Sequence, residues 1–504
     1  MDMPGRPQSA IEQARDVDKP ETTEHIALAG VRKKHATEWR RIDRILISVG
    51  MFFIQFTAAM DQSATTTIQP KVLSDFNAMT RAGTISVVMY LMVASLRPIY
   101  AKVSDVYGHV YALGLAMVFH VLGSLVSALA STFSAIFAGT VFAGLGQAGY
   151  GTLVAIIIAD ILPINLRASV TAYVSVPYIS NYYLGVELAN GLYSNWHWVY
   201  GILCILAVVC TAPAFISLLR VERRARRALR NTNDIPKRPL RARFLTVLEE
   251  MDILGLLLIC GGFVSILAPL GMQLNTKYGW ASAQVIAPLF IGVGGLALFV
   301  YYEHRIATYP VVPFRLFKVR TFTCAILTST FFFFTLNVSL FFFNPYVQVT
   351  QEVSARTAML LQLGTVGFYI GLFAGGWAMQ ISQRYRRWTW VGWAMCMLAV
   401  GLMLHARGSG GSKKAEIAVV QALFGISGGI VVGCAGIGAQ AAVDKADLTI
   451  AVTLYSMAEY VGGVLGEGVS TTIWVNLLPT MIEDRLDPSV DVFSAINNIT
   501  YYFD

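Results

Sequence analysis

The sequence predicts an all-α protein that crosses a membrane many times, and three observations carry the prediction. Hydrophobic residues make up 55% of the 504 residues and charged residues only 13%, where soluble domains carry about 25% charged. About thirteen apolar segments recur along the chain, each near the roughly 20 residues that one helix needs to cross a hydrocarbon core of about 30 Å. Basic residues gather in every second loop, as the rule that orients membrane helices requires.

The expected spans are 45–67, 83–102, 110–130, 133–159, 169–190, 198–219, 253–272, 283–302, 321–346, 358–380, 388–405, 416–442 and 449–476. Residues 1–44 form a polar tail of mixed charge without the apolar run or cleavage site of a signal peptide. It is expected to stay cytoplasmic and partly disordered. With that tail inside, the cytoplasmic loops carry Lys102, Arg167, the cluster Arg223, Arg224, Arg226, Arg227 and Arg230, then Arg305, Arg315, Lys318 and Arg320, and finally Arg384, Arg386 and Arg387. Arg407, Lys413 and Lys414 run against the trend. The net charge of +8 therefore serves orientation in the bilayer. No folded basic domain is expected for nucleic acid.

The longest internal polar stretch, 220–252, follows the sixth span and divides the chain. This gives an N-terminal half (45–219), a basic cytoplasmic linker (220–252), two spans that read as an insertion (253–302) and a C-terminal half of five spans (303–479). Two related halves flanking a midplane site is the organisation of a secondary transporter. Residues 480–504 are polar and would lie outside.

An ionised carboxylate at the bilayer centre costs about 2.5–3.5 kcal/mol on insertion scales, so intramembrane acids mark a cavity or a partner. Asp61 lies in the first span with Thr57 and Thr65 on the same helical face. The fifth span carries a stripe of Tyr173, Ser180, Tyr183, Glu187 and Asn190. The thirteenth carries Ser456, Glu459, Gly463, Glu467 and Ser470. A coupling proton needs a buried acid whose pKa can be raised toward neutrality, and Asp61, Glu187 and Glu459 are the candidates. Each also reads as a carboxylate paired with a neighbouring helix or solvated near the interface. Tyr183, Asn344, Tyr346 and Gln440 are candidate cavity residues. Asp105, Gly108, Asp160 and Arg167 read as a cytoplasmic gate. Arg97, near the inner end of its span, reads as a snorkelling side chain. The runs Phe331–Phe334 and Phe341–Phe343 read as packing, because consecutive aromatics point all round a helix.

The six cysteines lie inside apolar segments and read as small core residues. The seven histidines have no metal-ligand spacing, and no phosphate-binding glycine loop is present. No hydrolytic constellation stands out. The expectation is a carrier with no cofactor, no resident metal and no enzymatic activity.

The segment Ala101-Lys-Val-Ser-Asp105-Val-Tyr-Gly108-His109 resembles the loop motif of the major facilitator superfamily. Ala101 replaces its leading Gly, and Val106 and His109 occupy its usual basic positions. Asp160 with Arg167 resembles the second cytoplasmic pair of that superfamily. Trp196-His-Trp-Val-Tyr200-Gly201 resembles a turn of fungal siderophore–iron transporters, with His197 in place of Arg. Asp252-Ile-Leu-Gly255, Pro310-Val-Val-Pro313-Phe-Arg315, Gly438-Ala-Gln440-Ala-Ala and Ile473-Trp474-Val-Asn476 continue the resemblance. Glu467 stands where that family usually has a small residue.

The resemblance implies a major facilitator fold of two six-helix pseudo-repeats plus two inserted helices. It also implies fourteen helices, so that the last one is expected to be missing after Pro479. It implies proton symport of a ferric siderophore, the iron arriving inside its chelator, by a monomer in a fungal plasma membrane or an endosomal or vacuolar one. The absence of a Gly-Pro-x-x-Gly-Gly motif from the fifth span weighs against drug export. Efflux or glutathione/proton exchange by a divergent relative, and a sensor that binds without transport, stay open.

Overall fold

A computed structural model describes residues 41–76, 82–162, 164–230, 252–272, 282–307, 312–351, 353, 355–382, 384–408, 414–444 and 447–483. Among the described residues there are sixteen α-helices and no strand. They are α1 (Arg41–Asp75), α2 (Ala82–Tyr107), α3 (His109–Ala128), α4 (Phe133–Ile161), α5 (Ile164–Ser175), α6 (Pro177–Gly191), α7 (His197–Arg230), α8 (Ile253–Met272), α9 (Ala283–Arg305), α10 (Arg320–Leu340), α11 (Phe343–Gln351), α12 (Ala355–Leu361), α13 (Gly364–Ser382), α14 (Tyr385–Gly408), α15 (Lys414–Ala441) and α16 (Leu448–Glu483). Ten stretches of the described residues are both long and apolar enough to cross a membrane.

Each expected span falls on these helices, with four differences. The fifth is two helices that meet at Val176, where Pro177 occupies the first position of α6. Its missing N–H costs little there, because the first helical N–H groups have no partner within the helix. The ninth stops at Leu340 and resumes as the short α11. The tenth is two helices, α12 and α13, divided after Leu361. The thirteenth runs on to Glu483 rather than ending at 476. The linker expected at 220–252 begins as helix, since α7 continues to Arg230. Its residues 231–251, the tail residues 1–40 and residues 484–504 lie outside the described residues.

Helix α1 packs on α6 and α7, α3 on α4 and α7, and α2 on α4, forming an N-terminal bundle. Helix α10 packs on α15 and α16, and α13 and α14 both pack on α15, forming a C-terminal bundle. The bundles meet where α2 lies against α16 and α5 against α13. The pair α8 and α9 pack on each other, and α8 also rests on α2 and α16 at the seam.

Lipid supplies no hydrophobic drive between helices, so small residues that let backbones touch do much of the joining. Between α13 and α15 that contact is extreme. A Cβ at Gly425 would stand 2.0 Å from the Gly364 carbonyl, one at Gly429 2.0 Å from that of Phe368, and one at Gly371 2.0 Å from that of Ile426. Gly428 on the same helix seats Phe332, whose fully buried ring stacks on Phe368 and Phe424 with centroids 6.2 and 5.9 Å away. The phenylalanine run thus divides by direction. Phe331 is exposed on the outer face, Phe332 fills the core, and Phe333 faces the interior between the bundles.

Gly108 sits between α2 and α3 with φ of 102°. Only a residue without Cβ adopts that backbone freely, which explains the glycine of the loop motif.

A Gly429→Leu variant is expected to lose the monodisperse folded peak in fluorescence-detected size exclusion. The backbones would have to part, beyond the roughly 1–3 kcal/mol of ordinary overpacking. Gly401→Leu, where nothing lies within 4 Å of the added Cβ, should run like the parent.

Candidate transport cavity

A cavity of about 700 Å³ lies between the two bundles. Its N-terminal wall comes from Gln55 and Gln62 on α1, Tyr90 and Arg97 on α2, and Tyr178 and Tyr182 on α6. Its C-terminal wall comes from Asn337 on α10, Tyr369 on α13, Gln440 on α15, and Glu459, Tyr460 and Glu467 on α16. Amides and phenols dominate the polar lining, so the site offers many hydrogen-bond partners and few formal charges.

Among the described residues, Arg97 is the cation of the cavity wall. The expectation that it snorkels to the interface is overturned. The side chain is only 5% exposed and turns inward. Its guanidinium carbon stands 4.3 Å from the centre of the Tyr460 ring, a cation–π contact strengthened by burial. The Glu459 carboxylate lies within its electrostatic reach from the opposite bundle. Gly151 on α4 leaves the room: a Cβ there would meet Nη2 at 3.0 Å. Position 97 was conspicuous as a charge inside an apolar run. Its direction was unreadable, because it depends on how α2 is rotated against α16.

The two bundles are joined at the middle and at both ends. In the middle, Tyr178 and Tyr369 stack with centroids 4.5 Å apart at 19°. At the outer end Tyr182 Oη donates to the Met359 carbonyl at 3.0 Å. Arg356 Nε donates to Glu187 Oε1 at 3.0 Å, and its Nη2 pairs with the same oxygen. At the inner end Arg167 Nη1 donates to Gln440 Oε1 at 3.2 Å, and Ser169 Oγ donates to Gln380 Oε1 at 2.5 Å.

A family model of the Major Facilitator Superfamily matches residues 51–467. The chain belongs to that superfamily. Among its relatives, this facilitator is similar to the siderophore transporter fer7 of Mycosarcoma maydis, 27% identical over 492 residues that cover 92% of this chain and 74% of the relative. It is also similar to the low affinity heme transporter str3 of Schizosaccharomyces pombe, 26% identical over 466 residues, covering 89% and 73% of the two chains. In three dimensions it resembles the human organic anion transporter MFSD10, with a TM-score of 0.56 at 12% identity over 92% of this chain and 99% of that one. That likeness shows the fold.

Of the residues singled out in the sequence, the facilitator brings Asn344, Gln440 and Glu459 to the cavity. Four others lie elsewhere. Glu187 is half exposed in its ion pair with Arg356. Tyr183 stands edge-on to Tyr182, and it is Tyr182 that faces the cavity. Tyr346 packs against the cluster around Phe343, Val347 and Ile417. Asp61 turns away from the seam into the interior of the N-terminal bundle. It is 6% exposed there, within electrostatic reach of His120. The His120 ring is fully buried, neither nitrogen has a hydrogen-bond partner, and it stands 5.2 Å from the Tyr150 ring. A stripe computed from helical spacing cannot separate a face turned to the seam from one turned to its own bundle.

The four loop residues do gather at the inner end. His109 bridges Ser104 Oγ, 2.6 Å from Nδ1, and the Asp160 carboxylate, 3.2 Å from Nε2. The histidine thus takes over one basic position of the loop motif. The expected pairing of Asp160 with Arg167 is only indirect, since Arg167 reaches Gln440 and the Leu162 carbonyl instead. Asp105 meets the Thr449 hydroxyl in the first turn of α16, where a carboxylate also faces the positive end of the helix. One edge of Asp105 stays open to solvent, yet crowding among the helix ends pushes its carboxyl up to about 6, with Asp160 adding to the push and His109 opposing it. The charged form is the one that holds α16. The contact is therefore present at neutral pH and lost as pH falls through about 6.

Removing the outer ion pair should loosen the outer end. Glu187→Ala and Arg356→Ala are each expected to speed thiol labelling of a cysteine placed at Thr66, and the swapped pair Glu187→Arg with Arg356→Glu should restore the parent rate. Exposed pairs contribute about 0–1 kcal/mol, so an acceleration of about two- to fivefold is the expected size.

Proposed function

We propose that this protein is a secondary active transporter that imports ferric siderophore chelates by proton symport across a fungal plasma membrane. The observation that carries the proposal is the cavity between the bundles, with its amide- and phenol-rich wall and with Arg97 and Glu459 reaching it from opposite sides. Similarity to fer7, a siderophore transporter, supports the cargo class. A chelate that already satisfies its iron asks for shape and hydrogen bonds rather than for metal ligands.

The proposed cycle uses the residues as they stand. Residues 45–219 and 303–479 move as two halves about the central cavity. With the outer bridges at Glu187–Arg356 and Tyr182–Met359 open, cargo enters. The opposite charges of Arg97 and Glu459 attract across the cavity, where either charge alone would be costly. Protonation of Glu459 releases the guanidinium, which then donates to oxygens of the cargo. Neutralised and filled, the cavity can close outside and open inside, where Asp105, Arg167 and Gln440 form the inner gate. Loss of the proton re-forms the Arg97–Glu459 pair and expels the cargo.

Expression in a yeast lacking its own siderophore carriers tests the proposal. Saturable uptake of iron-55 chelates that a protonophore abolishes is the expected result. Absence of uptake across a panel of hydroxamate chelates, with the protein at the cell surface, would falsify it, and competition by heme would point to a cargo like that of str3. Arg97→Ala should cut uptake at least tenfold, as stranding a buried charge costs roughly 3–5 kcal/mol. Glu459→Gln should retain chelate binding while losing the pH dependence of transport.

A further inference from the structure

The mechanism leaves one buried acid of the cavity without a role. Glu467 is 1% exposed, lines the cavity from α16, and among the described residues neither of its carboxylate oxygens has a hydrogen-bond partner. It lies two turns beyond Glu459 on the same helix, and Gly463 between them presents no side chain. Tyr90 on α2 is within its electrostatic reach, and the Tyr90 ring stands 6.1 Å from that of Tyr460.

The charges of the cavity wall do not balance. The charged side chains that line it, among the described residues, are Arg97, Glu459 and Glu467. Arg97 is engaged by the Tyr460 ring and lies within the electrostatic reach of Glu459, which leaves the Glu467 carboxyl with no counter-charge among the described residues of the cavity wall. A carboxylate without a partner is costly in a dry site. A ligand cation removes that cost, and carboxylate oxygens beside an aromatic ring are the chemistry that takes an ammonium group.

We propose that Glu467 and Tyr90 form a cation subsite of the cargo cavity that receives an ammonium group borne by the chelate, so that this transporter favours singly positive ferric chelates over neutral ones. The proposal rests on the siderophore reading above and names a charge preference within it. The ammonium meets the carboxylate of Glu467 and one face of Tyr90, while the iron-bearing body of the chelate lies toward Arg97 and the amides.

A matched pair of ligands separates charge from shape: ferrioxamine B, with one free ammonium, and its N-acetylated neutral derivative. Their affinities for the purified full-length protein in nanodiscs are read by quenching of tryptophan fluorescence. The parent should bind the cationic chelate about tenfold more tightly than the neutral one. Glu467→Gln, nearly isosteric, should abolish that ratio by weakening the cationic ligand alone. Tyr90→Leu should reduce the ratio and Tyr90→Phe should keep it. An equal loss for both ligands in Glu467→Gln, or an unchanged ratio, overturns the subsite. An unchanged ratio accompanied by lost pH dependence of uptake would assign Glu467 to the proton instead. If the folded parent binds neither chelate, the subsite is overturned, while the siderophore reading is decided separately by uptake across the panel of chelates.

Discussion

Arg97 and Glu459 reach toward each other from opposite bundles in the middle of a molecule that lipid surrounds, and the rest of the architecture follows from keeping them there. A guanidinium is not tolerated against hydrocarbon. It needs a wall of dipoles, an aromatic face and a counter-charge, and these come from α4, α16 and the amides of the cavity. Gly151 supplies the space, Tyr460 the ring, Glu459 the charge. The Arg97–Tyr460 contact, which joins α2 to α16, brings the polar interior to the seam between the bundles.

That interface is made of a few discrete contacts rather than a continuous apolar face. The Tyr178–Tyr369 stack stands in the middle, Glu187–Arg356 and Tyr182–Met359 at one end, Arg167–Gln440 and Ser169–Gln380 at the other. Few, polar and separate contacts can be exchanged one set at a time. Within a bundle the logic is opposite. The glycines of α13 and α15 bring backbones into direct contact and Phe332 is locked over Gly428. Rigid bundles joined by exchangeable bridges are what a rocking carrier requires.

The inner end shows how a degenerate motif keeps its physics. Gly108 holds a backbone conformation that side chains resist, Asp105 meets the first turn of α16, and His109 bridges Ser104 and Asp160. The substituted position still bears a ring nitrogen where the motif usually has a basic group. At the outer end, the ion pair of Glu187 gives that acid a partner on the other bundle, whereas in the cavity, among the described residues, the Glu467 carboxyl has no hydrogen-bond partner.

The sequence by itself determined the class of the molecule. The apolar segments and the Asp105–Gly108 motif are local properties, and both survived into the fold because segment length and backbone strain do not depend on distant neighbours. It also marked Glu459, Gln440 and Asn344, which do face the cavity. Only the tertiary structure decided which way Asp61, Arg97 and Glu187 point. Helical spacing places residues on a common face but carries no information about what that face meets. In lipid, an acid can turn to its own bundle, as Asp61 does toward His120, or to the other bundle, as Glu187 does toward Arg356. The rotation of each helix is set by packing with neighbours remote in sequence, and that rotation turned Arg97 from an expected surface charge into the centre of the cavity.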